Sequence, residues 1–180
     1  MAKFHEKLDN KMRDFITKQH VYFVATAPHK GRVHLAPKGL DTFRVISDTE
    51  AAYLDLTGSG NEAAAHLLEN GRLTVMFCSF NEAPLTLRLF GSGRIILPNS
   101  SDWPQYYRLF EPRIGHRQII LISIESVQTS CGFATPFYEY VGERPTLDEW
   151  AVKRGEEGLK TYRLENNALS IDGLPTGIEG

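Results

Sequence analysis

The chain has 180 residues, enough for one domain with a substantial core. Its composition is 42% hydrophobic, 23% charged and 11% aromatic, as in ordinary globular proteins, and its net charge of −2 argues against broad capture of nucleic acid or an anionic membrane. The opening MAKFHEKLDNK is too charged for a secretory signal, and no apolar run approaches membrane-spanning length. Two cysteines, Cys78 and Cys131, give neither a disulfide framework nor metal-ligand spacing, so a reduced, cytoplasmic protein is the expectation.

Leu8, Met12, Phe15 and Ile16 recur at helical spacing and predict an amphipathic helix over Phe4–Lys18. VYFVATA (Val21–Ala27) reads as a strand, and VHLAPK (Val33–Lys38) as its hairpin partner across PHKGR. TFRVI (Thr42–Ile46) and AAYLDL (Ala51–Leu56) form a second hairpin across SDTE. A glycine turn then leads into an alanine- and leucine-rich helix, Gly60–Leu68, with Asn70-Gly71 as its C-terminal cap. RLTVMFCSF (Arg72–Phe80) and LTLRLFGSGRIIL (Leu85–Leu97) are long strands joined across NEAP. A short helix near Asp102 tolerates Pro104 in its first turn, and RQIILISIESVQTS (Arg117–Ser130) is the last long strand. Short connections suit antiparallel pairing. With glycines at Gly91 and Gly93 where a strand must bend, the pattern predicts a mainly β (α+β) protein built on a closed or nearly closed barrel.

Beyond Ser130 the character changes to two short helical candidates and a glycine- and proline-punctuated end. Thr146 and Glu149 have capping-box spacing. Phe133, Phe137, Tyr138, Tyr140 and Trp150 are costly to leave in water, which predicts an arm packed on the barrel or on a second subunit. The division is a barrel over 1–132 and an arm over 133–180.

The turn Thr57-Gly58-Ser59-Gly60-Asn61 is the first chemical feature. Gly58, Gly60 and Ala63 satisfy a relaxed dinucleotide pattern, but that pattern needs a parallel unit and an acid on the next strand, and RLTVMFCSF has none. No Gly-Lys-Ser/Thr follows either. Ser59 and Glu62 have capping-box spacing, and the helix start offers free N–H groups to an anion; the plain alternative is a capped helix and nothing more. Lys38, after Pro37 at a sheet edge or bulge, is either a second contact or a solvated lysine. Arg88 lies mid-strand on the face of Thr86 and Phe90, opposite Leu85, Leu87 and Leu89, and must find solvent, an acid or a ligand. Arg113, His116 and Arg117 read as a basic rim or an exposed loop of mixed charge. The histidines His5, His20, His29, His34, His66 and His116 show no metal-ligand spacing, and no Ser-His-Asp or Cys-His constellation stands out, so catalytic residues stay unassigned and no metal is expected.

In order and spacing, VHLAPKG, then FRVISDTEAAYLDLTGSGNEAAAHLLENGRLTVMFCSF, then LTLRLFGSGRII resembles the pyridoxamine 5′-phosphate oxidase-like superfamily of FMN-binding split barrels. The resemblance covers Asp9 to Ser130. It implies an antiparallel split β-barrel with peripheral helices, and FMN in a groove between two protomers of a homodimer. It also implies a phosphate and ribityl site at Lys38 and Thr57, Gly58, Ser59, Gly60 and Asn61. His34, Leu35, Ala36 and Pro37 would line the isoalloxazine, with Arg88 a further contact. The tail lacks the oxidase's arginine-leucine-small-proline signature, since Arg163-Leu164 is followed by Glu-Asn, so pyridoxamine phosphate is not the implied substrate. An FMN-dependent oxidoreductase of unassigned substrate, a flavin carrier or sensor, and a haem- or deazaflavin-binding relative remain open, with His34 or His116 as the haem ligand.

Overall fold

Eight strands form one antiparallel sheet in the computed structural model, which describes residues 2–178. The elements are β1 (Lys3–His5), α1 (Asn10–Thr17), β2 (Tyr22–Thr26), β3 (His34–Lys38), β4 (Phe43–Val45), β5 (Glu50–Leu56), α2 (Glu62–Asn70), β6 (Arg72–Cys78), β7 (Thr86–Ile96), α3 (Trp103–Tyr107), β8 (His116–Ser130) and α4 (Thr146–Asn166). The order across the sheet is β3-β2-β6-β7-β8-β5-β4, with β1 also on β8. Short turns produce the hairpins β2–β3, β4–β5 and β6–β7, as the sequence predicts. The long β7–β8 pair shifts register after Phe90, and a Cβ on Gly91 would run into the Ser123 carbonyl. Glycine there lets the strands approach at the bulge that curls the sheet.

The curl buries Tyr22, Val24, Tyr53, Val75, Phe77, Leu87, Leu89, Ile120 and Ile122 inside, with Met12 and Ile16 of α1 against them. The other faces of β5 and β8 bury Ala52, Leu54, Ile119 and Leu121 under Trp103 and Phe110. The terminal strands β3 and β4 do not pair, so the barrel is split. Side chains cross the split instead: Tyr22 Oη lies 2.9 Å from Thr42 Oγ1, and Lys38 of β3 reaches Asp55 of β5.

Three local expectations change. Phe4 and His5 pair with β8 as a strand, and the helix starts only at Asn10, where Asp9 Oδ1 accepts from the Met12 N–H at 2.8 Å. The two C-terminal helical candidates join end to end as α4, broken at Gly155 by a left-handed φ of 67°. Thr146 lies inside that helix behind Pro145 and forms no capping box. Among the described residues, no helix is long and apolar enough to cross a membrane.

Candidate functional site

β3 has a neighbour on one side only, the setting in which Pro37 is tolerated. Strand alternation divides its side chains. His34, Ala36 and Lys38 sit opposite the buried Thr26, Val24 and Tyr22, whereas Leu35 and Pro37 sit opposite Ala25 and Phe23 on the outer face.

On the inner face, Lys38 Nζ donates to Asp55 Oδ1 at 2.6 Å and lies 5.7 Å from the centre of the Tyr53 ring. Asp55 is buried. Its Oδ2 accepts from Arg117 Nε at 3.1 Å, Arg117 Nη2 at 2.6 Å and Gln118 Nε2 at 2.9 Å. Burial alone would raise the Asp55 pKa, but Arg117 and Lys38 outweigh it and hold the carboxyl well below the usual range. Burial, then Asp55, pushes the Tyr53 phenol up.

This cluster grips the glycine turn from behind. Arg117 Nη1 donates to the Gly60 carbonyl at 3.0 Å and to Asn167 Oδ1 at 2.8 Å. Asn167, fully buried after α4, donates from Nδ2 to the Gly58 carbonyl at 3.0 Å. Arg163 of α4 donates from Nε to Thr57 Oγ1 at 2.8 Å and from Nη2 to the His116 carbonyl at 2.7 Å. Gln118 Nε2 holds Asn61 Oδ1 at 2.8 Å. Thr57 and Asn61 are therefore buried, while Ser59 is exposed.

The front of the turn is different. Among the described residues, the backbone N–H groups of Gly58, Ser59, Gly60 and Asn61 and the Ser59 hydroxyl have no protein acceptor. Neither glycine has a positive φ, and a Cβ on Gly58 would meet nothing closer than the Leu56 carbonyl at 4.0 Å. The expected capping box is absent, because Asn61 is the N-cap and Glu62 Oε2 instead accepts from the Ile171 N–H at 2.9 Å. In α2, the buried His66 shares Nδ1 with Thr26 Oγ1 at 2.9 Å, and its Nε2 has no partner. The His34 ring stands edge-on to it at 6.4 Å, its pKa lowered by burial and then by Lys38.

The sequence-predicted residues thus fall into two groups. Lys38 joins the cluster that holds the turn, His34 faces His66 of the helix that follows it, and Ala36 shares their face of β3. Leu35, Pro37 and Arg88 share the outer face, along the row Pro37–Phe23–Met76–Arg88, which spans roughly 14 Å at ordinary strand spacing. There Arg88 Nη1 donates to Ser130 Oγ at 3.3 Å. The basic rim does not form as expected. Arg117 is buried against Asp55, and His116 packs at a tilt against Trp103 and Tyr107 with its Nδ1 2.6 Å from the Arg113 carbonyl. Asp55, Arg163 and Asn167 were absent from the predicted set; an acid inside the apolar AAYLDL was the one visible signal.

Beside Lys38, a groove of about 1070 Å³ opens between the barrel and the arm, lined by His20, Phe80, Tyr138, Tyr140 and Trp150. Tyr140 stacks on His20 with ring centres 3.6 Å apart.

Together these features define a split β-barrel whose open edge carries a lysine and whose first internal helix begins at a turn rich in free donors. The chain belongs to the pyridoxamine 5′-phosphate oxidase family, whose profile matches residues 8–131. It is 38% identical over 195 aligned residues to the pyridoxamine 5′-phosphate oxidase family protein ustO of Aspergillus flavus, covering 97% of this chain and 78% of that one. HupZ of Group A Streptococcus shares the fold at a TM-score of 0.54 and 20% identity, over 67% of this chain and 91% of its own. A Lactobacillus delbrueckii protein provisionally assigned as a pyridoxamine 5′-phosphate oxidase superposes at 0.55 and 14% identity, over 68% and 94%. Arg163 and Asn167 lie outside the family-matched region.

Proposed function

We propose that the chain binds FMN and serves as an FMN-dependent oxidoreductase, in a homodimer whose second copy closes the flavin groove. The observation that carries this reading is the front of the glycine turn. Free N–H groups and the Ser59 hydroxyl lie there, on a turn held from behind by a cluster in which the cations Lys38, Arg117 and Arg163 outnumber the carboxylate Asp55. That donor set suits a dianionic phosphate, and the bare surface over Gly58 leaves room for one. Lys38, Ser59 and the turn's backbone would hold the phosphate and ribityl chain, with the His34–Pro37 strip against the ring. The flavin would supply hydride or electron transfer, so the chain needs no nucleophile or acid–base pair of its own. The aromatic groove beside Lys38 is the natural seat of the organic substrate.

The second copy is inferred from the outer face. Leu35 is 64% exposed, Phe133 80% and Phe137 76%, and they lie on the β3 edge and the arm. Large apolar side chains left in water on these two elements support a surface that a second copy covers. Free thiols at the exposed Cys131 and buried Cys78 suit a reducing, cytoplasmic setting.

An absorbance spectrum of the purified protein, before and after incubation with FMN and removal of the excess, tests the reading. Flavin bands retained by the protein are the expected result. A Soret band, or a protein that retains no flavin, would overturn it.

A further inference from the structure

Charge does not select a ligand for the groove beside Lys38, since Lys18 and Arg144 in its lining stand against Glu139 and Glu143. We infer that the ring of His20 is a stacking subsite for a flat aromatic compound, and that Tyr140 occupies this subsite when the compound is absent. The inference rests on the groove as the seat of the organic substrate and names the class of that substrate.

Two ring pairs join the barrel to the arm across the groove. Phe80 and Tyr138 meet at a tilt, with ring centres 5.4 Å apart. His20 and Tyr140 lie parallel to within 3°, with ring centres 3.6 Å apart. That spacing is two flat faces in van der Waals contact. A saturated ring, with hydrogens above and below its plane, cannot approach so closely.

The two pairs are held differently. Residues 131–145 form no helix or strand. Among the described residues, one hydrogen bond ties 136–144 to the rest of the chain, from the Tyr138 N–H to the Phe80 carbonyl at 3.1 Å. Tyr138 is thus anchored by its backbone. Tyr140 has no such anchor. Its hydroxyl donates to Glu143 Oε1 at 3.2 Å, within the same segment, so that bond travels with the ring. Beyond it, Val141 is 93% exposed, and a Cβ on Gly142 would meet nothing within 4 Å. A second aromatic ring offers His20 the contact that Tyr140 makes, and a segment with so little packing yields to it without losing the Tyr138 bond. His20 is exposed and lines both the groove and a second cavity of about 410 Å³ over Tyr22, Phe43 and Phe77. Space for the rest of a ligand larger than one ring lies beside it.

NMR titration of the full chain with 2-naphthol and with its saturated counterpart, decahydro-2-naphthol, tests the inference. Both His20 and Tyr140 are exposed, so His20→Ala and Tyr140→Ala remove no core packing. 2-Naphthol should shift the His20 ring resonances and bind more tightly than the saturated probe. His20→Ala should weaken 2-naphthol about fivefold, the loss of one aromatic contact, and Tyr140→Ala should tighten it by a similar factor, because the subsite is then vacant. Equal affinity for the two probes, or an affinity that His20→Ala leaves unchanged, would overturn the inference. So would a Tyr140→Ala chain that binds 2-naphthol more weakly than wild type, which makes Tyr140 a wall of the site, or one that does not bind it at all. Repeating the titration with FMN separates this inference from the flavin reading. Displacement of 2-naphthol by FMN would make His20 the seat of the flavin ring and overturn the assignment to substrate. A chain that retains no FMN while both variants behave as expected keeps the ring subsite, and the flavin reading fails.

Discussion

The two faces of β3 are built from alternate residues of five, yet they meet opposite needs. On the inner face, Lys38 enters a network in which Asp55, Arg117 and Asn167 pair with one another within the chain and Gln118 Nε2 donates to Asp55. On the outer face, Leu35 and Pro37 lie exposed beside Phe23, Pro37 at the margin of the groove that the arm flanks. The contrast separates two tasks on one edge strand. The inner face holds the glycine turn by internal charge pairing, and on the proposed reading the outer face meets a second copy. Changes to the inner face should therefore appear in the stability of a single chain, and changes to the outer face in association.

The largest effect is expected from Asp55→Asn. It leaves Arg117 and Lys38 without their carboxylate in a buried setting, which costs about 3–5 kcal/mol in chemical denaturation. Because the folded pKa of Asp55 is depressed, its contribution is complete above the unfolded value and is lost as pH falls below about 4. Wild-type stability should decline in that range, and Asp55→Asn should flatten the decline. Asn167→Ala should cost about 1–3 kcal/mol, since the Gly58 carbonyl and one Arg117 N–H lose their buried partner.

The outer face gives the opposite signature. Leu35→Glu should change single-chain stability by no more than about 0.5 kcal/mol while converting the proposed dimer to a monomer in light scattering. Smallest is Ser59→Ala. With no cap to lose, it should leave denaturation within about 0.5 kcal/mol of wild type and still reduce FMN retention on a desalting column.

How far the sequence could be read follows from the same contrast. The strands and hairpins were legible because period-two alternation and turn residues are local signals, and Gly91 marked the bend. Phe4 fitted a helical spacing, but Asp9 caps the helix later and β8 claims the first residues, a pairing between chain positions far apart. Ser59 and Glu62 had the spacing of a capping box, yet the Glu62 carboxylate goes to the Ile171 N–H far along the chain. Lys38 and the turn were legible as a pair. Their supports were not, because whether Asp55 is buried depends on Arg117, and the carbonyls of Gly58 and Gly60 are held by Asn167 and Arg117 from far along the chain. Arg88 was assigned by strand alternation to the face of Thr86 and Phe90, which is correct, but only the order of strands across the sheet shows that this is the face of Pro37 and not of Lys38.

The central claim is flavin held at the open edge of a paired barrel. Sedimentation velocity of the reconstituted protein, followed at the flavin's visible band, tests it most directly. The account predicts that flavin absorbance sediments with a species of twice the chain mass, at one flavin per chain. Flavin travelling with a single chain, or remaining behind the protein boundary, would contradict it.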